Sequence, residues 1–261
     1  TPSGDTLPLV RLCVLGPVTL TTESGPVTVG MRTGSYAVFA VLAAHPNGRT
    51  LEQLAAHLHP SIDPDLAIKR IRTDISTARR VLREATRDKP AKFAVFDTPT
   101  GRYRLDPDTI EVDLWRMLAA IDRANTAADD PACLAALREA ASLYGGDFAE
   151  GDDRVWAIDD ATCYRHQILA VHARIAELLE ADHPDQAIAA LETAIGLDPV
   201  NEEIYQRIMR IQGRQHRPDA VRRTLRQLEA RLADLGDAEP SEATRRVAER
   251  QLHPAAAGGR R

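Results

Sequence analysis

Seven basic side chains fall within residues 67–87, and only two acidic ones accompany them. Apolar residues in this segment recur at three- and four-residue steps, the period of a helix with one buried stripe. At about 100° per residue, basic and hydroxyl side chains fall on the opposite side. Such a face could bind a polyanion such as nucleic acid, although charge alone also fits an ordinary solvated surface. The stripe comprises Ile68, Ile71, Ile75, Ala78 and Leu82, and the opposite face carries Lys69, Thr73, Thr77, Arg80 and Arg87.

Length and composition predict a soluble, mainly helical protein of two domains. The chain has 261 residues, of which 44% are apolar, 27% charged and only 4% aromatic, so its cores must be built mostly from Ala, Leu, Ile and Val. The net charge is −5. Residues 1–113 hold 14 basic and 13 acidic side chains, whereas residues 114–261 hold 19 and 25. The basic segment therefore lies in a near-neutral half, and the acidic second half is not expected to bind nucleic acid.

The elements that would position the basic segment follow from turn and cap signals. Strand-forming residues open the chain, with a further short strand expected at Val27–Val29. A helix at Ser35–Ala44 and a second at Leu51–Leu58 follow, the latter begun by a capping box of Thr50 and Gln53. The basic helix comes third, from Asp63-Pro64, and a β-hairpin closes the region. Two short helices before a longer one that carries contact residues form the helix-turn-helix plan, and the hairpin would be its wing.

This order resembles the winged-helix DNA-binding domain of the OmpR type. The segments LEQLAAHLHP and GRYRLDPDTIEVDLW are similar to one group with that domain, the Streptomyces antibiotic regulatory proteins (SARPs). The resemblance implies that the third helix enters the major groove of duplex DNA and that the wing contacts the backbone or minor groove. The side chains expected to contact DNA are Lys69, Arg70, Thr73, Thr77, Arg80, Arg87, Arg102 and Arg104.

Some neighbouring residues have other expected roles. Arg72, Arg79 and Arg83 lie nearer the flank of the helix, where they would contact phosphate or pack locally. Glu84 falls on the groove-facing side, although its charge would repel phosphate. Tyr103 fits either a packing or a contact role in the wing.

The second half of the chain predicts helices throughout, separated by Pro and Gly signals. It also contains an internal repeat, because HPDQAIAALETA at 183–194 aligns with RPDAVRRTLRQL at 217–228 at an offset of 34 residues. Helix pairs with this period are typical of tetratricopeptide (TPR) repeats, so an all-α TPR-like domain is expected.

Further segments in this half resemble the bacterial transcriptional activator domain (BTAD), which directly follows the winged helix in SARPs. They are SLYGGDFAEGDDRVW (142–156), AIGLDPVNEEIYQRIMRIQG (194–213), LEARLADLG (228–236) and PSEAT (240–244). The resemblance implies packing roles for Phe148 and Trp156, and Asp147 is interpreted as a helix cap. The predicted division is a linker at 1–8, a winged helix at 9–113, a BTAD/TPR-like domain at 114–252 and a disordered tail at 253–261.

The start at Thr1, in the linker-like sequence TPSGDTLP, favours a fragment of a longer protein. The same pair of domains resembles modules at the C-terminal ends of larger actinobacterial proteins, some of them membrane-anchored. No apolar run approaches the roughly 20 residues needed to cross a bilayer. The segment is therefore expected in the cytoplasm without direct membrane contact, as a free protein or as the cytoplasmic part of a larger one.

No enzyme motif is found in the sequence. The glycines form neither GxxxxGK[ST] nor GxGxxG, the histidines include no HExxH, and no serine lies in GxSxG. Cys13, Cys133 and Cys163 lack metal or disulfide spacing, and the acids at 147–153 lack the spacing of a calcium loop. The expectation is a protein without catalytic residues, metal or cofactor.

Two functions remain open from the sequence. The first is a sequence-specific DNA-binding transcriptional regulator, for which the resemblance implies activation. Its helical domain would contact RNA polymerase or another protein, or pair two protomers. The alternative is a TPR-like interaction module of a larger signalling protein whose winged helix binds DNA weakly or not at all. The acidic second half and Glu84 favour this alternative.

Overall fold

The computed structural model describes residues 10–86, 94–97, 99–236 and 238–253. These form a small sheet, a β-hairpin and a series of helices, which confirms the predicted mainly α architecture of a winged helix followed by a helical domain. The strands are β1 (Val10–Cys13), β2 (Thr19–Thr22), β3 (Gly25–Pro26), β4 (Ala94–Asp97), β5 (Arg102–Leu105) and β6 (Ile110–Val112). The helices are α1 (Thr33–Ala44), α2 (Leu51–Leu58), α3 (Pro64–Ala85), α4 (Asp113–Asn125), α5 (Asp130–Leu143), α6 (Val155–Leu179), α7 (Pro184–Leu197), α8 (Glu202–Arg214), α9 (Pro218–Ala233) and α10 (Glu242–Leu252).

The chain divides into two compact units. The first contains residues Thr1–Thr126 and Glu139–His166, and the second contains Ala127–Arg138 and Gln167–Arg261. The boundary expected from sequence, between 113 and 114, lies inside the first unit.

The four-stranded sheet of the first unit has the order β3-β2-β1-β6. Strand β1 pairs antiparallel with β2 and parallel with β6. Along β1 burial alternates, with Val10 and Leu12 buried and Arg11 and Cys13 exposed. This period of two is expected for a strand with one face on the core.

The third strand differs from the predicted Val27–Val29, because strand pairing ends at Pro26. The amide of Val27 still donates to the carbonyl of Leu20 at 2.8 Å. The Val27 carbonyl, however, accepts a hydrogen bond from the Tyr36 hydroxyl at 2.8 Å. The chain thus leaves the sheet toward α1 at the point where the sequence predicted a strand, and Val29 is exposed.

Asp113, the first residue of α4, ties that helix to the sheet. Its carboxylate accepts hydrogen bonds from the amides of Val14 at 2.9 Å, Leu15 at 3.1 Å and Leu114 at 2.7 Å. Burial raises the pKa of this carboxyl, and the three amide donors oppose the shift. The single side chain therefore satisfies amides that β1 leaves free where it ends.

We expect Asp113→Ala to lower the free energy of unfolding by about 3 kcal/mol, because partly buried amides would lose their acceptor at about 1–3 kcal/mol each. Chemical denaturation should show a lower midpoint with an unchanged slope. Glu111→Gln removes the same charge two residues away and should cost no more than about 1 kcal/mol, since within the described residues the Glu111 side chain forms only surface ion pairs. Equal effects of the two substitutions would contradict this role for Asp113.

Helix α3 packs against both α1 and α2 in the first unit. The largest fully buried side chains there come from all three helices and include Phe39, Leu42, Leu54, Ile71 and Leu82. Helix α2 begins at the predicted capping box, in which the Gln53 amide donates to the Thr50 hydroxyl at 3.3 Å and the Gln53 side chain accepts from the Thr50 amide at 3.0 Å. These contacts fix the direction of α3.

A loop between α5 and α6 completes the first unit. The amide of Gly16 donates to the Asp147 carbonyl at 2.9 Å, and the Ala149 amide donates to the Val14 carbonyl at 2.8 Å. Phe148 and Trp156 are buried with their rings edge to face, 6.1 Å between centres, which confirms their predicted packing role. The loop therefore closes on the sheet of the first unit.

Asp147, interpreted from sequence as a cap, lies in this loop and forms side-chain contacts instead. Its carboxylate accepts hydrogen bonds from the Tyr144 hydroxyl at 2.8 Å and from the Arg165 guanidinium. The hydrogen bond from Arg165 holds the pKa of Asp147 below its usual range.

Candidate nucleic-acid interface

Helix α3 begins at a defined cap. The Asp63 carboxylate accepts a hydrogen bond from the Leu66 amide at 3.1 Å, and Pro64 occupies the first turn. Proline is tolerated there because the first amides of a helix have no acceptor within it. The acidic residues Asp63 and Asp65 also lie at the positive end of the helix dipole. The start of α3 is thus fixed locally.

Burial along α3 follows the predicted stripe closely. Ile71, Ile75 and Leu82 are buried, each contributing about 1.5–3 kcal/mol relative to an exposed side chain. Ile68 is only half-buried, and its neighbour Ala67 is buried in its place. This apolar side holds α3 against α1 and α2, so that its basic side faces away from them.

The structure places most of the predicted contact residues of α3 on its accessible side. Four are exposed and one, Thr77, is half-buried. Arg87 lies outside the described residues. The exposed four are Lys69, Arg70, Thr73 and Arg80.

The four exposed side chains differ in their hydrogen bonds and ion pairs. The side chains of Lys69 and Arg70 make no hydrogen bond or ion pair within the described part of the chain. The Thr73 hydroxyl donates to the Lys69 carbonyl one turn earlier at 2.9 Å. The Nη1 of Arg80 donates to both carboxylate oxygens of Glu84, at 3.0 and 3.3 Å. The face thus presents two exposed cations without a partner in the described residues, beside one guanidinium that is paired with an acid.

The predicted wing is the antiparallel hairpin of β4 and β5. It is joined to the turn between α1 and α2, because the Tyr103 amide donates to the Arg49 carbonyl at 2.7 Å and the Arg49 amide donates to the Tyr103 carbonyl at 2.9 Å. The Nη1 of Arg102 donates to the Gly48 carbonyl at 2.9 Å. Arg102 therefore fastens the wing to the helices, a role that the sequence did not predict.

The wing also contacts α3 directly. The Arg79 guanidinium carbon lies 5.7 Å from the centre of the Tyr103 ring, within the range of a cation–π contact. This contact agrees with the local packing expected of Arg79 and gives Tyr103 its packing role. Arg102 and Arg104, the two predicted contact residues of the wing, are both half-buried.

Asp74 is a buried residue that the sequence did not single out. Its side chain is turned inward, and its main-chain carbonyl accepts a hydrogen bond from the Ser35 hydroxyl at 2.9 Å. Burial raises the pKa of its carboxyl, and the Arg32 guanidinium 3.9 Å away opposes the shift. Asp74 follows Ile71 by three residues and precedes Ala78 by four, so its helical phase could have revealed the burial. Its charge is consequently withdrawn from the basic face.

A sequence model of the bacterial transcriptional activator domain matches residues 112–252, which is more than half of the chain. The chain belongs to the BTAD family. A winged helix followed by a BTAD region is the arrangement of SARP-type regulators, so the resemblance drawn from the sequence is confirmed. The family is one of transcriptional activators rather than a class of enzymes.

A solved structure with the same fold is Mycobacterium tuberculosis EmbR, determined in complex with a low-affinity phosphopeptide. The TM-score is 0.70 at 23% sequence identity, and the match covers 94% of this BTAD chain. The chain spans 65% of the length of the EmbR chain. A search of curated protein sequences gave no match.

The repeat found in the sequence occupies equivalent places in the BTAD region. Pro184 and Pro218 begin α7 and α9. Ala187 and Val221, three residues later in each helix, are fully buried. Packing then proceeds from α7 to α8, and α8, α9 and α10 pack on one another.

The start of α10 in the BTAD region is fastened to α8 by Glu202. Its carboxylate accepts hydrogen bonds from the Ser241 amide at 2.9 Å and from the Thr244 hydroxyl. Burial raises the pKa of Glu202, but the hydrogen bonds from Ser241 and Thr244 outweigh it and leave the pKa below its usual value.

A groove of about 520 Å³ lies within the second unit of the BTAD protein. Apolar side chains from α6, α7 and α8 form part of its lining, and amide and charged side chains form the remainder. The lining residues are Leu169, Ala170, Ala173, Leu191, Asn201, Glu203, Ile204, Gln206, Arg207 and Arg210. Arg207 is held there by the Glu180 carboxylate at 3.1 Å.

Among the described residues, no helix is long and apolar enough to cross a membrane. Within the same ranges, no three His, Cys, Asp or Glu side chains are grouped so that they could hold a metal ion.

Proposed function

We propose that this BTAD protein is a sequence-specific DNA-binding transcriptional activator. The observation that carries the proposal is the accessible basic side of α3 beside a hairpin fastened to the same helices. A helix of this kind fits the major groove, where Lys69 and Arg70 would meet phosphates and Arg80 a base edge. Thr73 and Thr77 would extend the contact along α3. Arg87, which lies outside the described residues, is proposed as a further contact. Arg104, with Arg102 next to the turn of the wing, would approach the backbone or the minor groove.

The BTAD region would supply the second half of an activator. Its groove, with apolar walls and the cations Arg207 and Arg210, supports binding of a protein segment, for which RNA polymerase is the partner proposed. Protomers would also be able to pair through this region on neighbouring half-sites. Because promoters and RNA polymerase are in the bacterial cytoplasm, that is the compartment proposed for this segment, whether free or as part of a larger, membrane-anchored protein.

The expected result of a binding experiment is an affinity for duplex DNA that falls steeply with salt. With about three phosphates neutralised, log K should fall against log salt with a slope of about −3, or about 50-fold from about 50 to about 200 mM. Fluorescence anisotropy with a labelled duplex at five salt concentrations measures this slope. An affinity that does not change with salt, or no binding at the lowest salt, would count against the proposal.

A second candidate function is a protein-interaction module whose winged helix does not bind DNA. The groove of the second unit and the pairing of Arg80 with Glu84 favour it. Capture of a partner from nuclease-treated lysate, together with no DNA binding at low salt, would select this candidate. If an Arg207→Ala/Arg210→Ala variant no longer captures that partner, the groove is its binding site.

A further inference from the structure

Glu84 is an acid on the side of α3 that is proposed to face DNA. The helix has two other acids, of which Asp65 lies in the first turn and Asp74 is buried. Glu84 is 61% exposed in its side chain, and it pairs with Arg80, whose side chain is 59% exposed. An uncompensated carboxylate at this place would repel the phosphates of the duplex.

The Arg80–Glu84 pair contributes little to the stability of α3. Exposed ion pairs one helical turn apart contribute only a few tenths of a kcal/mol, and a base placed before the acid is the less favourable order. The pair therefore has a small energetic effect on the free protein, while its place on α3 gives it a large potential effect on recognition.

The geometry supplies a function for the pair. One nitrogen of Arg80, Nη1, donates to both oxygens of Glu84. The Nε and Nη2 of Arg80 make no hydrogen bond within the described residues. These two nitrogens form one edge of the planar guanidinium, which matches the O6 and N7 acceptors of guanine in the major groove. In the free protein this weak pair biases the guanidinium toward that orientation, and exclusion of water at the DNA surface would strengthen the pair.

We propose that Arg80 reads a guanine and that Glu84 is the positioning residue that directs its guanidinium to that base. This inference rests on the proposed DNA-binding function. Lys69 and Arg70, which have no side-chain partner within the described residues, would instead contact phosphate and carry no sequence preference. Glu84 would thus weaken binding to DNA in general and increase the preference for one base pair.

The test is selection of bound duplexes from a random pool by the full chain. Wild type should enrich a motif that contains a guanine, and Glu84→Ala and Glu84→Gln should lower the preference at that position by about tenfold. Arg80→Lys should lose the preference at the same position, because an ammonium lacks the planar edge. Both Glu84 variants should bind unrelated duplexes a few-fold more tightly, since a repelling charge is gone. Asp65→Asn, the matched control in the first turn of α3, should leave the motif unchanged.

The outcomes separate the inference from the proposed function. If both Glu84 variants bind every duplex more tightly with an unchanged motif, Glu84 is only a surface charge and the inference is overturned, whereas DNA binding stands. If wild type binds no duplex at low salt, the proposed function fails and the inference fails with it. Circular dichroism of each variant should show unchanged helix content, because both side chains are exposed.

Discussion

Replacing both Arg70 and Arg80 with glutamate is expected to weaken binding to the selected duplex by about 100-fold or more. Each arginine is expected to form charged hydrogen bonds with phosphate or guanine, at about 1.5–3 kcal/mol per residue. Losing both contacts costs about 3–6 kcal/mol, and each tenfold change in affinity corresponds to about 1.4 kcal/mol. The two new carboxylates would add repulsion from the backbone. Anisotropy titration at low salt measures the loss.

The same double variant should remain folded. Both side chains are exposed, and neither belongs to the buried stripe of α3. A glutamate at position 80 would repel Glu84 by no more than about 0.5 kcal/mol. Arg223→Glu/Arg226→Glu on α9 makes the same change in net charge at exposed positions of the second unit and should retain most of the affinity. Unchanged binding by the Arg70 and Arg80 variant would remove α3 from the interface.

Gly48→Ala is expected to lower the free energy of unfolding by about 2–4 kcal/mol, because it combines an unfavourable backbone conformation with a steric clash. The residue has φ +77°, and a Cβ there would lie 2.6 Å from the Tyr103 carbonyl oxygen. To relieve this clash the wing would have to move away from the turn, which would break the two hydrogen bonds between Arg49 and Tyr103. The melting temperature should fall by about 5–10 °C.

Gly101→Ala is the control for this substitution. Gly101 lies in the turn of the wing with φ +65°, but nothing lies within 4 Å of a Cβ there. It should therefore show only the conformational cost, about 1 kcal/mol. Equal melting temperatures for the two variants would mean that the close contact between the turn and the wing does not contribute to the stability of the fold. A selective loss in Gly48→Ala should also weaken DNA binding, because Arg102 and Arg104 are carried on the displaced hairpin.

Local signals in the sequence were sufficient for most elements. The capping box at Thr50 fixed the start of α2, and Asp63-Pro64 fixed the start of α3, because both act through neighbouring backbone groups. The helical period predicted the buried Ile71, Ile75 and Leu82, since it requires no knowledge of the partner surface. The domain order likewise led to the BTAD family.

These local signals did not predict the short strands or the long-range contacts. Strand β6 has three residues and exists through its parallel pairing with β1, about 100 residues earlier in the chain. The third strand lies at Gly25–Pro26 rather than at Val27–Val29, because the Tyr36 hydroxyl holds the Val27 carbonyl. The contact of the 147–149 loop with the end of β1 joins residues even farther apart in sequence.

The amino-acid sequence by itself determined where the basic helix lies and which of its sides is apolar, since both depend on the spacing of neighbouring residues. Only the tertiary structure decided which charges that helix presents. Packing against α1 buries Asp74, and docking of the wing engages Arg102 with Gly48 and Arg79 with Tyr103. Those contacts join residues that are far apart in the chain. A local sequence pattern does not predict which of them come close together in space. The Arg80–Glu84 pair is local, yet its exposure depends on how α3 is packed.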